Sequence, residues 1–465
     1  MPKITRRDFL SEGALWAGCA MASHKAFSQN RNHPRPNIIL CMTDDQGWGD
    51  TGYNGHPVLR TPHLDEMARC GLRFERFYSG APVCSPTRGS CITGRHPYRY
   101  GIFSANVGHI KTEEITLAEA LKSLGYACGH FGKWHLGTLT KTMKDSNRGA
   151  PGNTTDYAPP WDHGFDVCFS TEAKVPTYWH PGDYETYGTH YWTGPEQKVP
   201  ADEVSGDDSR LIMDRALPFI REKAEQSTPF FAVIWFHAPH LPVVSAPPYT
   251  DGYTEHQEYY GCITAMDEQM GRLRATLTAL GIEDNTMLWF CSDNGPEGDD
   301  TAPGSTGGLR GRKRSLYEGG VRVPGLLVWP DRVQTPRIIS MPCSTSNYFP
   351  TILDALGHPL PEMATRPYDG VSLMPLIEKR MEARPRPIGF ESAGHASLTD
   401  NRYKIIGKVG GPYELYDLIE DPAEKNNLAA SHPEIVQSMQ QTLEAWRESC
   451  ANSLEGKDYL SLIHI

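Results

Sequence analysis

Residues 36–50 read PNIILCMTDDQGWGD, and this stretch joins an apolar segment to an acidic turn. After Asn37, residues 38–42 are all apolar, which is typical of a strand buried on both faces of a parallel sheet. The run ends in Thr43, Asp44 and Asp45. The stretch therefore predicts a central strand that presents two carboxylates at its carboxyl end.

The same pattern occurs twice more along the chain. Each of two further apolar runs ends in polar residues, namely 230–236 before His237 and His240, and 286–291 before Asp293 and Asn294. Because ligands of open α/β sheets bind beyond the carboxyl ends of the strands, we expect the three polar clusters to converge on one crevice.

Helical periodicity separates these strands, at residues 116–124, 208–226 and 258–280. Alternating strands and helices predict an α/β fold with a large, mostly parallel sheet sandwiched by helices, and we place this domain at residues 36–375. A smaller C-terminal region, 376–465, carries short strand patterns at 402–406 and 414–417 and a helical pattern at 433–450.

Composition excludes several classes of protein. The chain has 465 residues, of which 39% are hydrophobic and 22% charged, so collagen, coiled coil and bulk disorder are excluded. Its net charge of −11 argues against general nucleic-acid binding. None of the 11 cysteines forms a CxxC pair, which leaves little room for a structural zinc site.

The first thirty residues have the features of a targeting signal. Residues 5–10 read TRRDFL and precede an apolar stretch at 13–22, an order that predicts a twin-arginine export signal over residues 1–30. We therefore expect a bacterial protein that is periplasmic or secreted, with lipoprotein anchoring at Cys19 as the alternative. The apolar stretch is too short to span a bilayer, so no integral membrane segment is expected.

A cysteine and an arginine stand one helical turn apart in the central motif. Residues 82–90 read PVCSPTRGS, which predicts a loop entering a helix with Pro86 in its first turn. Cys84 would then lie at the helix N-terminus, where an oxyanion is favoured, and Arg88 would follow on the same face. A cysteine at a helix start is by itself more often structural than catalytic, but Arg88 adds an anion-binding fork.

This motif resembles the CxPxR signature of the formylglycine-dependent (type I) sulfatases of the alkaline-phosphatase-like superfamily, with an arylsulfatase- and N-acetylgalactosamine-6-sulfatase-like pattern. Other segments match the family's further motifs in order, namely residues 44–50, 125–135, 239–240, 293–295, 313–322, 367–376 and 414–428. The resemblance runs from about residue 36 to about residue 430. It implies that the C-terminal region is a small antiparallel sheet with a helix, packed on the large domain.

The acidic residues at the strand ends suggest a metal site. Asp44, Asp45 and Asp293 offer carboxylates and Asn294 an amide oxygen, a set that suits one hard divalent cation, Ca²⁺ in preference to Mg²⁺. A helix cap is the alternative for any single aspartate. The resemblance adds residue 84 as a ligand and implies that a maturation enzyme oxidises Cys84 to formylglycine (3-oxoalanine).

The resemblance also implies that five other residues are catalytic, Lys133 among them. It implies that Arg88 steadies the hydrated aldehyde, that His135 is the base, and that His240 and Lys313 act at the bridging oxygen of the ester. Lys133 stands two residues before His135, so in an extended segment both side chains would face the same side.

Three further groups of residues do not have a clear catalytic role. His237 has a structural interpretation, and the other two groups each have two alternative interpretations. His237 is expected to be a buried, hydrogen-bonded histidine. Arg310, Arg312 and Arg314 fit a solvated loop as well as substrate binding. The irregular segment 140–205 contains six aromatic residues that fit either stacking on sugar rings or filling the core of their own loop, namely Trp179, His180, Tyr184, His190, Tyr191 and Trp192.

Together these features predict a sulfuric ester hydrolase that acts on a sulfated glycan or an aryl sulfate ester. The first alternative is a phosphomonoester or phosphonate hydrolase of the same superfamily, although the higher charge of phosphate often calls for a second metal. The second alternative is a glycan-binding protein without activity, which requires Cys84 to remain a thiol.

Overall fold

The computed structural model describes residues 35–358, 360 and 366–460. The predicted export signal and Cys19 lie outside the described residues. None of the helices in the described ranges has the length and apolar character needed to cross a membrane.

The strands are β1 (Asn37–Thr43), β2 (Leu72–Phe74), β3 (Phe77–Tyr78), β4 (Ala127–Lys133), β5 (Val167–Thr171), β6 (Tyr178–Trp179), β7 (Trp192–Gly194), β8 (Gln197–Lys198), β9 (Gly206–Asp207), β10 (Phe230–Trp235), β11 (Thr286–Ser292), β12 (Arg322–Val323), β13 (Gly325–Val328), β14 (Arg337–Ile339), β15 (Cys343–Ser344), β16 (Ile388–Ser392), β17 (His395–Thr399), β18 (Tyr403–Lys408) and β19 (Tyr413–Asp417). The α-helices are α1 (Pro62–Cys70), α2 (Cys84–Thr93), α3 (Leu117–Ser123), α4 (Asp183–Tyr187), α5 (Asp208–Glu225), α6 (Gln257–Ala279), α7 (Glu318–Val321), α8 (Tyr348–Ala355), α9 (Met374–Ile377), α10 (Pro433–Leu454) and α11 (Lys457–Leu460). Short 3₁₀ turns occur at Gly52–Asn54, Pro97–Arg99, Pro160–His163, Ala201–Glu203 and Thr345–Asn347.

A ten-stranded sheet forms the centre of the molecule, in the order β14-β2-β13-β11-β1-β10-β4-β5-β7-β8. The strands from β11 to β5 in this order are parallel, and antiparallel pairs occur toward both edges. The three apolar runs of the sequence are the adjacent strands β11, β1 and β10. The predicted large, mostly parallel sheet is therefore confirmed.

Side chains of β1 alternate between two hydrophobic cores, one on each face of the sheet. Ile38, Leu40 and Met42 belong to the core that also contains residues of α2, α3 and α8. Ile39 and Cys41 belong to the core formed with α5 and α6. The sandwich of helices around the sheet is thus as predicted, and it explains why the strand is apolar at every position.

A smaller antiparallel sheet lies near the C-terminus, in the order β16-β17-β18-β19. One of its faces packs against α10 through residues such as Leu415 and Leu443. The other face packs Phe390 and Ile406 against Tyr78 and Val321 of the large domain. The expected antiparallel sheet and helix are therefore present; the domain boundary at residue 376 stays a prediction.

Candidate active site

The carboxyl ends of β1, β10 and β11 meet at one edge of the sheet. The backbone of Asp293 donates to the carbonyl of Thr43 at 3.1 Å, and that of Asp44 donates to Ala238 at 3.1 Å. The backbone N–H of Asp45 donates to Oδ1 of Asp293 at 3.1 Å. Parallel pairing continues beyond the strands in this way, so the predicted polar clusters come together.

Cys84 is the first residue of α2, as the sequence predicts, and its side chain is buried. Its sulfur and one ligand atom each of Asp44, Asp45 and His240 all lie within 4.8 Å of one another. The turn before α2 is held in place by the backbone of Arg314, which donates to the carbonyl of Pro82 at 2.8 Å. The helix start therefore faces the acidic strand end.

Arg88 connects α2 to three strand ends. Its Nη2 lies 2.7 Å from Oδ2 of Asp293 and 3.4 Å from Oδ2 of Asp44, and its Nη1 donates to the carbonyl of Lys133 at 2.9 Å. The guanidinium also lies over the ring of Trp235, 5.2 Å from its centroid. Arg88 is fully buried, so these contacts replace its hydration.

Each carboxylate of the Asp44–Asp45 pair contacts a lysine. Nζ of Lys133 lies 2.6 Å from Oδ2 of Asp44, and Nζ of Lys313 lies 2.7 Å from Oδ1 of Asp45 and 3.3 Å from Oε2 of Glu297. Burial raises the pKa of Asp44, but Lys133, His240 and Arg88 outweigh this effect and hold it well below its usual value. Burial lowers the pKa of Lys313, yet its acidic neighbours raise it overall.

Two buried oxygens at this site have no hydrogen-bond partner among the described residues, Oδ1 of Asp44 and Oδ1 of Asn294. The amide nitrogen of Asn294 donates to Asp45 and to Gly295. Burial and the charge of Asp44 raise the pKa of Asp293 well above its usual value. Buried polar atoms are normally paired, so the two unsatisfied oxygens indicate a missing partner. A bound cation would supply it and would also offset the repulsion between the carboxylates of Asp44 and Asp293.

The five predicted metal ligands do not occupy equivalent positions. Asp44, Asp45 and Cys84 belong to the compact group, and Asn294 binds Asp45 directly. Asp293 lies beside the group, with one oxygen accepting from Asp45 and the other from Arg88. The sequence did not assign His240 to this group, although the geometry places its imidazole there.

His240 and His237 lie close together in the sequence but have different environments. Nδ1 of His240 lies 2.6 Å from the carbonyl of Leu241, an acceptor, so Nδ1 carries the proton, and Nε2 faces Asp45 at 3.6 Å. Burial lowers the pKa of His240 despite Asp44 and Asp45. His237 is fully buried between Asp208 and Thr171, as expected.

His135 departs from the predicted geometry. β4 ends at Lys133, and His135 has a left-handed backbone with φ of 59°, so the segment is not extended through His135 as expected. Its Nε2 lies 2.7 Å from Oδ1 of Asn106. Burial, together with the charge of Lys133, holds the pKa of His135 well below its usual value.

The two open interpretations of loop residues are resolved in part. Trp179, Tyr184, His190, Tyr191 and Trp192 are buried, whereas His180 is exposed. Trp179, Tyr184 and Tyr191 join the core that contains α5 and α6, and Trp192 joins the core on the other face of the sheet. Each of the three arginines has a partner within the protein: Arg314 binds Glu297 through both nitrogens, Arg312 donates to the carbonyl of Glu297, and Arg310 donates to the Tyr416 hydroxyl.

The sequence analysis missed two residues of this site. Glu297 contacts Lys313, and its place three residues after Asn294 could have indicated this role. Asn106 contacts His135 from a segment without regular periodicity, where only its tolerance of the left-handed conformation (φ of 63°) gives a signal.

Comparison with known proteins identifies relatives of this chain. The family model described as Sulfatase matches residues 36–358, and that described as N-sulphoglucosamine sulphohydrolase, C-terminal matches residues 311–449. N-acetylgalactosamine-6-sulfatase of Homo sapiens is 33% identical over 380 residues, which cover 75% of this chain and 67% of that protein. Arylsulfatase A of Homo sapiens is 29% identical over 470 residues, which cover 87% and 86%.

Among solved structures, that of Ps i-CgsB in complex with k-i-k-neocarrahexaose superposes with a TM-score of 0.77 at 25% identity, covering 89% of this chain and 92% of that chain. The family match begins at the residue before β1 and includes every residue discussed at this sheet edge. Because that match covers well over half of the chain, the protein belongs to the sulfatase family, whose curated members are sulfuric ester hydrolases.

Proposed function

We propose that the protein hydrolyses sulfate esters of a sulfated carbohydrate or an aryl alcohol, releasing inorganic sulfate and the alcohol. The proposal includes a formylglycine at residue 84 and one Ca²⁺ beside it. The observation that carries it is the compact group of Cys84, Asp44, Asp45 and His240, with ligand atoms within 4.8 Å of one another at a helix start. In the structure, the thiol of Cys84 stands where the aldehyde would be.

The residues present suit both groups. The oxygens of Asp44, Asp45, Asp293 and Asn294 would hold Ca²⁺, with residue 84 as a further ligand. When present, the hydrated aldehyde supplies the nucleophilic hydroxyl and Ca²⁺ offsets the charge of the sulfate oxygens. The buried, unpaired oxygens of Asp44 and Asn294 support the cation independently of the family match.

The basic residues of the site bind and orient the anionic group. Arg88 is fixed between Asp293 and the carbonyl of Lys133, so its guanidinium is preorganised to hold an oxygen at residue 84. Lys133 and Lys313 lie on the two carboxylates and bring positive charge to both sides of the group. This arrangement compensates the negative charge that a sulfate ester carries into a buried site.

Departure of the alcohol requires charge compensation or a proton at its oxygen. Lys313 remains a charged donor because its acidic neighbours keep its pKa above the usual value. His240 holds its own Nδ1 proton against Leu241, so Nε2 is the ring atom that would face the leaving oxygen. His135 is assigned the opposite role, accepting a proton at the carbon-bound hydroxyl of residue 84.

The proposal also includes export of the protein and maturation of Cys84. Residues 5–10 support twin-arginine export to the periplasm or the exterior. Conversion of Cys84 requires a formylglycine-generating maturation enzyme as a transient partner. Loss of sulfur at residue 84, measured by peptide mass spectrometry, reports that conversion.

The test is a parallel assay of sulfate and matched phosphate monoesters of defined saccharides and aryl alcohols, on enzyme produced with a maturation enzyme. Sulfate release that exceeds phosphate release, and that disappears in a folded Cys84→Ala variant, supports the proposal. Faster phosphate turnover would favour the phosphatase alternative, and activity of Cys84→Ala would overturn the mechanism. A retained thiol at residue 84 without turnover would favour a glycan-binding protein.

A further inference from the structure

A short chain of hydrogen bonds connects His135 to two loops at the rim of the site. Nε2 of His135 lies 2.7 Å from Oδ1 of Asn106. The side-chain amide of Asn147 donates to the same oxygen at 2.8 Å. His135 is buried, whereas Asn106 and Asn147 are exposed, so the chain runs from the interior of the site to its surface.

These contacts determine where the imidazole carries its proton. An amide oxygen only accepts hydrogen bonds, so Nε2 of His135 must be the donor, and the neutral ring then has its lone pair on Nδ1. The side-chain amide of Asn147 donates to the same oxygen, so both contacts agree in placing the oxygen of Asn106, rather than its amide nitrogen, toward His135.

The other ring nitrogen is left free. Nδ1 of His135 is buried and has no hydrogen-bond partner among the described residues. The charges acting on the ring are those of Lys133, Arg148 and Arg88, opposed by Asp44, and with burial they keep the pKa of His135 well below its usual value. A neutral imidazole with an unpaired nitrogen next to these groups is suited to accept a proton.

The backbones on both sides of the contact between Asn106 and His135 have defined conformations and are joined by further hydrogen bonds. Asn106 and His135 both have left-handed backbones, with φ of 63° and 59°. The segments are joined further by the backbone of Ile110, which donates to Leu136 at 2.8 Å, and by Arg148, which donates to the carbonyl of Gly108. Unusual backbone conformations persist where the surrounding contacts determine them, and they occur often at functional sites.

We propose that Asn106 is a positioning residue that fixes His135 as the Nε2–H tautomer and leaves Nδ1 free to accept a proton during sulfate ester hydrolysis. During sulfate release, Nδ1 would accept the proton of the free hydroxyl at residue 84, whose O–H electron pair would form the aldehyde C=O as the C–O bond to the sulfate breaks and inorganic sulfate leaves. Nε2–H stays bonded to Asn106, whose oxygen stabilises the imidazolium. Solvent later takes the proton from Nδ1. The catalytic part rests on the proposed function, whereas the tautomer can be measured without it.

Three variants separate the interactions. Asn106→Gly removes the acceptor and tolerates the left-handed backbone, which a larger apolar residue would strain. Asn106→Asp keeps an acceptor at the same position and also tolerates this conformation. Asn147→Ala is the matched control, because it removes the second hydrogen bond to Oδ1 but leaves the acceptor of Asn106 in place.

The direct measurement is the ¹⁵N NMR spectrum of protein with labelled histidines, with the His135 signals assigned by their loss in His135→Gln. The unconverted Cys84 protein suffices, so this measurement does not depend on activity. We expect a protonated Nε2 and an unprotonated Nδ1 in the wild type, in Asn106→Asp and in Asn147→Ala, and a mixture of tautomers in Asn106→Gly. A wild type protonated at Nδ1, or an unchanged tautomer in Asn106→Gly, would overturn the proposal.

Kinetics on the matured enzyme test the catalytic consequence. Loss of a correctly oriented base is expected to lower kcat of Asn106→Gly by about 10-fold or more with little change in KM, and Asn106→Asp should restore most of it. An unchanged kcat in a variant whose tautomer has shifted would overturn the role of Asn106. If the wild type shows the expected tautomer but hydrolyses no sulfate ester, the proposed function fails while the tautomer assignment stands.

Discussion

Arg88 and Asp293 form a fully buried hydrogen-bonded pair, in which Nη2 of Arg88 lies 2.7 Å from Oδ2 of Asp293. The first residue is one turn into α2 and the second follows β11, so this contact ties the helix that begins with Cys84 to the sheet edge. The same guanidinium also reaches Asp44 and the carbonyl of Lys133. The Arg88 side chain therefore helps to set the spacing between residue 84 and the predicted cation ligands.

Replacing Arg88 by Met should strongly destabilise the protein. The change leaves two buried acidic groups without this partner, and breaking a buried pair typically costs about 3–5 kcal/mol. Urea unfolding in calcium-free buffer at neutral pH measures the difference. Arg69→Met is the control, because Arg69 forms a solvent-exposed pair with Glu66 that should contribute little to stability. Equal stabilities of the two variants would contradict the prediction.

Calcium should stabilise the folded protein through the unpaired oxygens at the sheet edge. At 100 times its Kd, an ion that binds only the native state adds about 2.7 kcal/mol to the free energy of unfolding. Thermal unfolding over a calcium titration measures this, and Mg²⁺ should have a smaller effect. Asn294→Leu should weaken the response, because it removes one of the two unpaired oxygens.

The control for this experiment is Asp202→Asn, which changes an exposed acidic residue in a surface turn. Its calcium response should equal that of the wild type. A chelator that leaves the Tm of the wild type unchanged, or an equal response in Asn294→Leu, would show that the cation does not bind where the buried oxygens indicate.

Local sequence patterns were sufficient to predict the centre of the fold. The apolar runs before Asp44 and Asp293 identify adjacent parallel strands because their side chains are buried on both faces. Pro86 and the spacing from Cys84 to Arg88 likewise identify the start of α2, since helix starts have local sequence signals.

Contacts between distant segments were not predictable in this way. Asn106 and His135 are 29 residues apart, and Lys404 and Glu318 are 86 residues apart. Neither pair has a local spacing that indicates contact, because loop and subdomain packing brings them together. The extended conformation expected through His135 was wrong for a related reason: β4 ends at Lys133, and His135 itself has a left-handed backbone.

Lys313 should matter most for esters with a poor leaving group. A sugar alkoxide needs charge compensation or a proton, whereas a nitrophenolate leaves without one. Lys313→Met should therefore lower kcat/KM for saccharide sulfates at least about 100-fold more than for nitrophenyl sulfate. Lys122→Met, which removes a surface contact to Asp166, should leave kcat/KM unchanged for both substrates. Equal losses on both substrates would assign Lys313 to sulfate binding instead.

His96 should make the protein less stable in mild acid. Burial lowers its pKa to about 3, against an ordinary value of 6.5. As the pH falls below 6.5 the unfolded chain takes up a proton that the native state does not bind, so stability present above pH 6.5 is lost progressively down to about pH 3. Between pH 6.5 and pH 5 this loss amounts to about 2 kcal/mol.

His96→Asn isolates this contribution. Nδ1 of His96 accepts from the backbone of Tyr98, and an asparagine keeps an acceptor at this cap without titrating. Urea unfolding at a series of pH values should give a shallower slope for His96→Asn than for the wild type. The exposed His395 serves as the control through His395→Asn, and a slope shared by all three proteins would contradict the assignment.

Lys404 connects the small C-terminal sheet to the segment that carries Lys313. Its buried ammonium lies 3.0 Å from Oε1 of Glu318 and 2.9 Å from Oε1 of Glu424. The backbone of Gly319, next to Glu318, donates to the carbonyl of Arg310 at 2.7 Å. The contact between Lys404 and Glu318 therefore stabilises the turn at Glu318 and Gly319, against which the loop of Lys313 packs.

Lys404→Met should leave two buried carboxylates without their shared cation and lower the free energy of unfolding by about 3–5 kcal/mol. Lys408→Met is the matched control, because Lys408 is an exposed lysine at the end of the same strand, β18. Adding Glu318→Gln to Lys404→Met should recover part of the loss, since one uncompensated charge is then removed. If Lys404→Met unfolded at the same urea concentration as Lys408→Met, the small sheet would not be holding that turn, and the position of Lys313 would have to depend on Asp45 and Glu297 alone.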